Sequence, residues 1–176
     1  MELHEKVARV RARLPELDQG EWPPVLGGPA ALDVSAEFPE SLRPLYEVFD
    51  GLSAEVIQVD RTGRVLESVT IAAESDLFDP IPDLVQFGNV IFGSMLGVSM
   101  SNGGVHLVSE ASFMDALEQF ELLETDPIAP DAIAFADAFL FGPRYFELID
   151  LAGGYPNPGT RHRDAWRLVL EDLGLL

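Results

Sequence analysis

Residues 98–109 read VSMSNGGVHLVS, two short runs of alternating apolar and polar side chains joined at Asn102-Gly103-Gly104. A glycine pair after a strand has two uses. It lets backbone amides approach a phosphate when a helix comes next, or it supplies the positive φ of a tight hairpin turn. After Gly104 the chain continues as Val105-His106-Leu107-Val108, a second alternating run with no helix start. The stretch therefore reads as a β-hairpin. With Asn102-Gly103 as a two-residue type I′ turn, Ser101 pairs with Gly104, Met100 with Val105 and Val98 with Leu107. That register puts Val98, Met100, Val105 and Leu107 on one face, and Ser99, Ser101 and His106 on the other. One face suits a core and the other suits solvent, as in an antiparallel sheet.

The segments on either side contain both helices and strands. ASFMDALEQFELLE (111–124) has helical spacing, with Ser112 as N-cap and Asp115 three residues on in a weak capping box. Phe113, Ala116, Leu117, Phe120 and Leu123 form its apolar stripe, and Asp115, Glu118, Glu121 and Glu124 its opposite side. No cation interleaves these carboxylates. Like-charge neighbours at this spacing destabilise a helix by roughly a few tenths of a kcal/mol each. Glu121 and Glu124 also sit at the unfavourable end of the helix dipole. A partner surface is one reason to keep such a ridge.

Upstream, the loop ESDLFDPIPD (74–83) carries Glu74, Asp76, Asp79 and Asp83 and is punctuated by Pro80 and Pro82. Before it, AEVIQVD (54–60), the turn RTGR and VLESVTIA (65–72) predict another hairpin. PESLRPLYEVFDG (39–51) predicts a short helix with Leu42, Leu45, Tyr46 and Phe49 on one side, Pro44 in its first turn and Gly51 as its left-handed cap. Leu3, Val7, Val10 and Leu14 mark an N-terminal amphipathic helix that stops before Pro15. Residues 15–40, with five prolines and three glycines, predict a Pro/Gly-rich irregular segment. Near the C-terminus a helix is expected to run to about Phe141. After GGYPNPG, Thr160 is expected to cap a last helix bearing Trp166, Val169, Leu170 and Leu173. The whole chain, 1–176, is expected to form a single α+β domain.

At 47% hydrophobic the sequence can bury a packed core. Residues 84–109 lack Asp, Glu, Lys and Arg, a length able to span a bilayer. However, polar side chains at Gln86, Asn89, Ser94, Ser99, Ser101, Asn102 and His106, five glycines and a turn signal interrupt it, so buried strands are the better reading. The N-terminus lacks the hydrophobic region of a signal peptide. With no cysteine, disulfides and thiolate chemistry are excluded, which is compatible with the cytoplasm. The formal charge of −19 speaks against nucleic acid and anionic membranes as partners. The charge is uneven: residues 65–143 hold thirteen acidic side chains and no Lys or Arg.

Catalytic motifs fail on inspection. The single lysine, Lys6, follows no glycine, so there is no P-loop, and G-x-G-x-x-G is absent. In GSMLG (93–97) the serine is misplaced for a nucleophile elbow. HEKVA (4–8) lacks the second histidine of a zincin, leaving His4 a solvated helix residue. His106 facing Ser99 reads as a polar pair on a sheet surface, since no orienting acid is specified. His162 belongs to an exposed helix start. Glu74, Asp76, Asp79 and Asp83 miss the EF-hand spacing and its glycine. No catalytic residue, metal ligand or cofactor is expected.

LRPLYEVFDGL (42–52) and FGSMLGVSMSNGGVHLVSEASFMDALEQF (92–120) together resemble the SUKH superfamily. The resemblance rests on Leu42, Pro44 and Gly51, on Gly103 or Gly104 with Val105, and on Ser112, Phe113 and Leu117. It implies an α+β fold with a mixed, largely antiparallel sheet flanked by helices. It also implies a bacterial immunity protein that neutralises a toxin, often a nuclease, or an adaptor-like regulator. The function expected is non-enzymatic binding of a basic toxin. The candidate contacts, taken from charge alone, are Asp115, Glu118, Glu121, Glu124, Asp76, Asp79 and Asp83. The alternatives are a regulatory or adaptor domain and, further off, a small-ligand-binding protein or enzyme.

Overall fold

The structure, a computed structural model, describes residues 1–16, 23–30, 38–75 and 77–176. The helical spacing of Leu3, Val7 and Val10 becomes α1 (Leu3–Arg13), with all three buried. Strand β1 (Val25–Leu26) lies inside the segment expected to be irregular. A short α2 (Arg43–Tyr46) comes next, with Pro44 in its first turn. Gly51 does not cap this helix, which ends at Tyr46. Its φ of +90° turns the chain into β2 (Leu52–Ser53), where a Cβ would come 3.2 Å from the Val59 carbonyl oxygen. The chain continues through β3 (Ile57–Val59), α3 (Thr62–Glu74), β4 (Leu84–Val90), β5 (Ser94–Ser99), β6 (Val105–Val108) and α4 (Glu110–Gln119). It ends in α5 (Ala132–Phe135) with a π-helical continuation (Ala136–Leu140), α6 (Tyr145–Leu151), α7 (Pro158–Arg163) and α8 (Ala165–Asp172). The six strands form an antiparallel meander in chain order. The fold is α+β.

Residues 65–72, expected as a strand, are instead helical in α3. Asp50, twelve residues before the helix begins, supplies the cap: its carboxylate accepts the Thr62 backbone N–H at 2.7 Å. A cap delivered through tertiary structure satisfies an orphan donor just as a local Ser or Asp does. It leaves no signal in the neighbouring sequence. The β-branched residues of the segment read as strand for the same reason that Val65, buried to 0% exposure, is useful to the core.

The core lies on one face of the sheet. There Ile57, Val59, Val90, Leu96, Val98 and Val105 meet apolar residues of α1, α2, α5, α6 and α8. A bulge between Gln86 and Gly88 adds Phe87, whose ring meets Phe135 edge-on at 6.0 Å. Gly88 is required beside it, because a Cβ would stand 2.3 Å from the Gln58 carbonyl oxygen. Trp166 of α8 is fully buried and donates its indole N–H to Leu140 at 2.9 Å. Asp164, and not Thr160, caps this helix; Thr160 lies inside α7, which Asn157 caps.

All three tyrosine hydroxyls donate to internal oxygens. Tyr46 donates to the Asp60 carbonyl at 2.6 Å, and Tyr145 and Tyr155 both donate to the Asp164 carboxylate. Burial first, and the nearby acidic charge second, push the Tyr46 and Tyr145 hydroxyls well above their ordinary value. Tyr155 is raised too, by burial and then by its bond to Asp164. A phenol raised in the folded state contributes stability that is full below about pH 10 and is lost as pH climbs above it. An absorbance titration should therefore show no phenolate forming in the native protein near pH ~10. Ionisation should appear at higher pH, together with loss of near-ultraviolet circular dichroism. A phenolate signal near the ordinary value with the fold intact would contradict this packing.

Candidate functional site

The hairpin at residues 94–108 forms, with a longer turn than the sequence predicts. Val98 pairs with Val105 and Leu96 with Leu107, and Ser99 donates its backbone N–H to the Gly104 carbonyl at 2.8 Å. Residues 100–103 form the loop, and Gly103 takes φ +78°. The pairing differs from a two-residue turn by an even step, so each strand side chain keeps its expected face. Val98 is fully buried, Leu107 half-buried, and Met100 is exposed in the loop rather than on the core face.

The second face is not a solvent face. Ser99 and His106 are buried. His106 is covered because the chain after α4 returns across it: the Thr125 hydroxyl lies 2.9 Å from Nδ1, and Ile128 donates its N–H to the Val105 carbonyl at 2.7 Å. The Ser99 hydroxyl donates to Asp83 Oδ2 at 2.5 Å, and the Ser101 hydroxyl and backbone N–H also bind that carboxylate. Ser99 and His106 thus take different partners. The Ser99 hydroxyl, helped by Ser101, holds the Asp83 carboxyl below its ordinary range. Asp83 thus staples the hairpin loop while its side chain stays at the surface.

Helix α4 differs from its expected form at both ends. Ser109 is the N-cap, accepting the Ser112 N–H at 3.1 Å. The helix stops at Gln119, short of the expected Glu124. Phe120 turns left-handed at φ +55°, and the Glu121 N–H closes back on the Ala116 carbonyl at 3.0 Å. The Leu123 N–H then bonds the Pro80 carbonyl at 2.8 Å, tying this strap to the 77–83 loop. Of the expected apolar stripe, Ala116 is buried and Phe113, Leu117 and Leu123 are half-buried, but Phe120 is 75% exposed. Its ring lies 5.7 Å from that of Phe78.

The candidate acids therefore divide into groups. Asp115 and Glu118 are exposed on α4. Glu121 and Glu124 lie on the strap beyond the helix, where the Leu123–Pro80 bond brings them alongside the loop bearing Asp79. The Asp79 carboxylate accepts the Ile81 N–H at 2.9 Å and remains at the surface. Asp76 lies outside the described residues. Among the described residues, Asp115, Glu118, Glu121 and Glu124 form no salt bridge, whereas Lys6, Arg13, Arg64, Arg144 and Arg167 each pair within the molecule.

Beside these acids lies an apolar groove of about 360 Å³ that sequence reasoning does not anticipate. Ile71 of α3, Leu77 and Phe78 of the loop, Leu84 and Met95 of the sheet, and Phe113 of α4 line it, with Asp79 on its rim. The available signal is the spacing of Ser68, Ile71, Ala72 and Ser75, which share one side of a helix. It becomes visible only once α3 is read as helical. Among the described residues no group of three or more His, Asp or Glu side chains is placed to hold a metal ion, and no helix is long and apolar enough to cross a membrane. No protein-family model, curated protein or solved structure matches the chain.

Proposed function

We propose that this chain is a non-enzymatic, acidic protein-binding domain, and specifically an immunity protein of SUKH type that neutralises a basic toxin in the cytoplasm. The observation that carries the reading is charge segregation. Thirteen acidic side chains fall in residues 65–143 without one Lys or Arg, and among the described residues Asp115, Glu118, Glu121 and Glu124 on α4 and its strap are exposed and form no salt bridge. Such a surface attracts a basic nuclease over a distance and competes with its anionic substrate. The residues that carry the resemblance occupy structural positions: Pro44 in the first turn of α2, Gly51 at the entry to β2, Gly103 in the hairpin loop, and Ser112 in the first turn of α4. The separate partners of Ser99 and His106 support binding over catalysis. An adaptor role is the second reading, favoured by the exposed Phe120, Leu122 and Leu77, which suit a protein partner of either charge.

Affinity capture from the native cell lysate at low and high salt tests this reading, with captured proteins identified by mass spectrometry. A basic protein retained at low salt and released at high salt is the expected result, and co-expression of the chain should relieve its toxicity. Capture of neutral or acidic proteins whose retention ignores salt would favour the adaptor reading.

A further inference from the structure

The groove and its surroundings define a more specific site. Phe120, Leu122, Leu77 and Ile71 are 75%, 66%, 84% and 61% exposed. Ile71 and Leu77 line the groove, and Phe120 reaches it through Phe78. A contiguous exposed apolar surface of this kind, rimmed by polar groups, marks an interaction site more often than a solvent face. Phe120 adds a separate observation. A bulky residue is unfavourable at φ +55°, where glycine is the ordinary choice, and its exposed ring recovers little by burial within the chain. Strain held at an exposed aromatic points to a use outside the fold. The charged residue in the groove lining, Asp79, is acidic; Glu74 ends α3 one residue before the lining Ser75, and Glu121 and Glu124 lie on the strap that Leu123 ties to Pro80.

Resting on the protein-binding reading, we propose that this groove receives a basic amphipathic segment of the partner. Two or three apolar side chains of that segment enter between α3 and α4 beside Phe120. Its flanking Lys or Arg side chains meet Glu74, Asp79, Glu121 and Glu124. The groove volume matches a few side chains and not a folded domain, so the remaining acids on α4 serve encounter rather than anchoring. A second copy of this chain is a poor occupant, since each copy carries a formal charge of −19.

Two labelled helical peptides of about four turns test the site on the full chain, both with Leu at i, i+3, i+4 and i+7. One carries Lys at its other positions and the other Glu. Fluorescence anisotropy should show the Lys peptide binding one-to-one, at least about tenfold tighter than the Glu peptide. Amide shifts should cluster at Ile71, Leu77, Phe113 and Phe120. Phe120→Gly should weaken the Lys peptide by about tenfold or more while keeping or raising the melting temperature, because glycine suits the left-handed cap. Ile71→Ser, on an exposed helical side chain, is the second variant and should weaken binding similarly. If the Lys peptide binds wild type and both variants equally, the acids alone hold it, and the groove proposal is overturned while the protein-binding reading stands. Absence of saturable binding by either peptide overturns it too, as does equal binding of both. A concentration-dependent dimer abolished by Phe120→Gly would assign the groove to a second copy instead. Failure of the broader reading shows separately, as the absence of a basic protein in the lysate capture.

Discussion

Replacing Asp164 with alanine is expected to lower the stability of the fold by about 3 kcal/mol, through one lost helix cap and two orphaned hydroxyls. The Asp164 side chain is completely buried. Oδ2 accepts the Tyr145 and Tyr155 hydroxyls at 2.7 and 2.6 Å, and Oδ1 accepts the Arg167 backbone N–H at 3.1 Å at the start of α8. Alanine removes the cap of the helix that presents Trp166 to the core, worth about 1 kcal/mol. It also leaves the buried Tyr145 hydroxyl without an acceptor, at about 1–3 kcal/mol, and the half-exposed Tyr155 hydroxyl at less. For a chain of this length the melting temperature should fall by roughly 6–12 °C. Asp164→Asn keeps an acceptor for the Arg167 N–H and should lose less. Tyr155→Phe, at the wetter side, should lose least. Thermal unfolding followed by circular dichroism ranks the three variants. A melting temperature unchanged by Asp164→Ala would mean that α8 is held by its apolar face alone.

The second large effect concerns binding. Glu118→Lys together with Glu121→Lys reverses two exposed carboxylates near the C-terminal end of α4, where the helix dipole favours cations. The fold should be unaffected or slightly stabilised. Association with a basic partner should slow by about tenfold or more at low ionic strength, because steering depends on the summed field of the acidic surface. Dissociation should change less. At about 0.1 M salt the screening length is near 10 Å, so the two proteins should converge in rate as salt rises, and the variant's rate should depend less on salt. Stopped-flow mixing with the partner retained in the lysate capture measures both quantities. Equal association rates at low salt would reduce these residues to a solvated face and remove the main physical support for the immunity reading. The position of Glu121, beyond the helix and beside the groove, means that each single variant is informative. Glu118→Lys should act on rate alone, while Glu121→Lys should also speed dissociation.

Different physical causes separate what is legible in the chain from what is not. Helix α1 is readable because Leu3, Val7 and Val10 repeat at the helical period over several turns, and all three are buried. The hairpin is readable in its faces but not in its loop. Alternation decides which side chains share a face, whereas the Asp83 carboxylate, supplied by a separate segment, decides where pairing stops. Residues 65–72 mislead because their composition is ambiguous and the cap of their helix comes from Asp50. Helix α4 is shorter than its pattern, because the spacing of Phe120 and Leu123 continues the stripe while the bond from Leu123 to Pro80 draws the chain away.

The candidate site divides in the same way. Its charge is plain from composition, since no cation interrupts residues 65–143. The groove is hidden, because it exists only where α3, the 77–83 loop, β5 and α4 converge. Local sequence dictates the period of α1, the inner and outer faces of the hairpin, and the sign of the surface. Those properties depend on residues a few positions apart. Tertiary contacts dictate where α3 begins, where α4 ends, that His106 is buried, and that Phe120 stands in solvent beside an apolar groove. Each of these depends on a hydrogen bond or contact between segments distant in the chain, and such a contact has no local periodicity to reveal it.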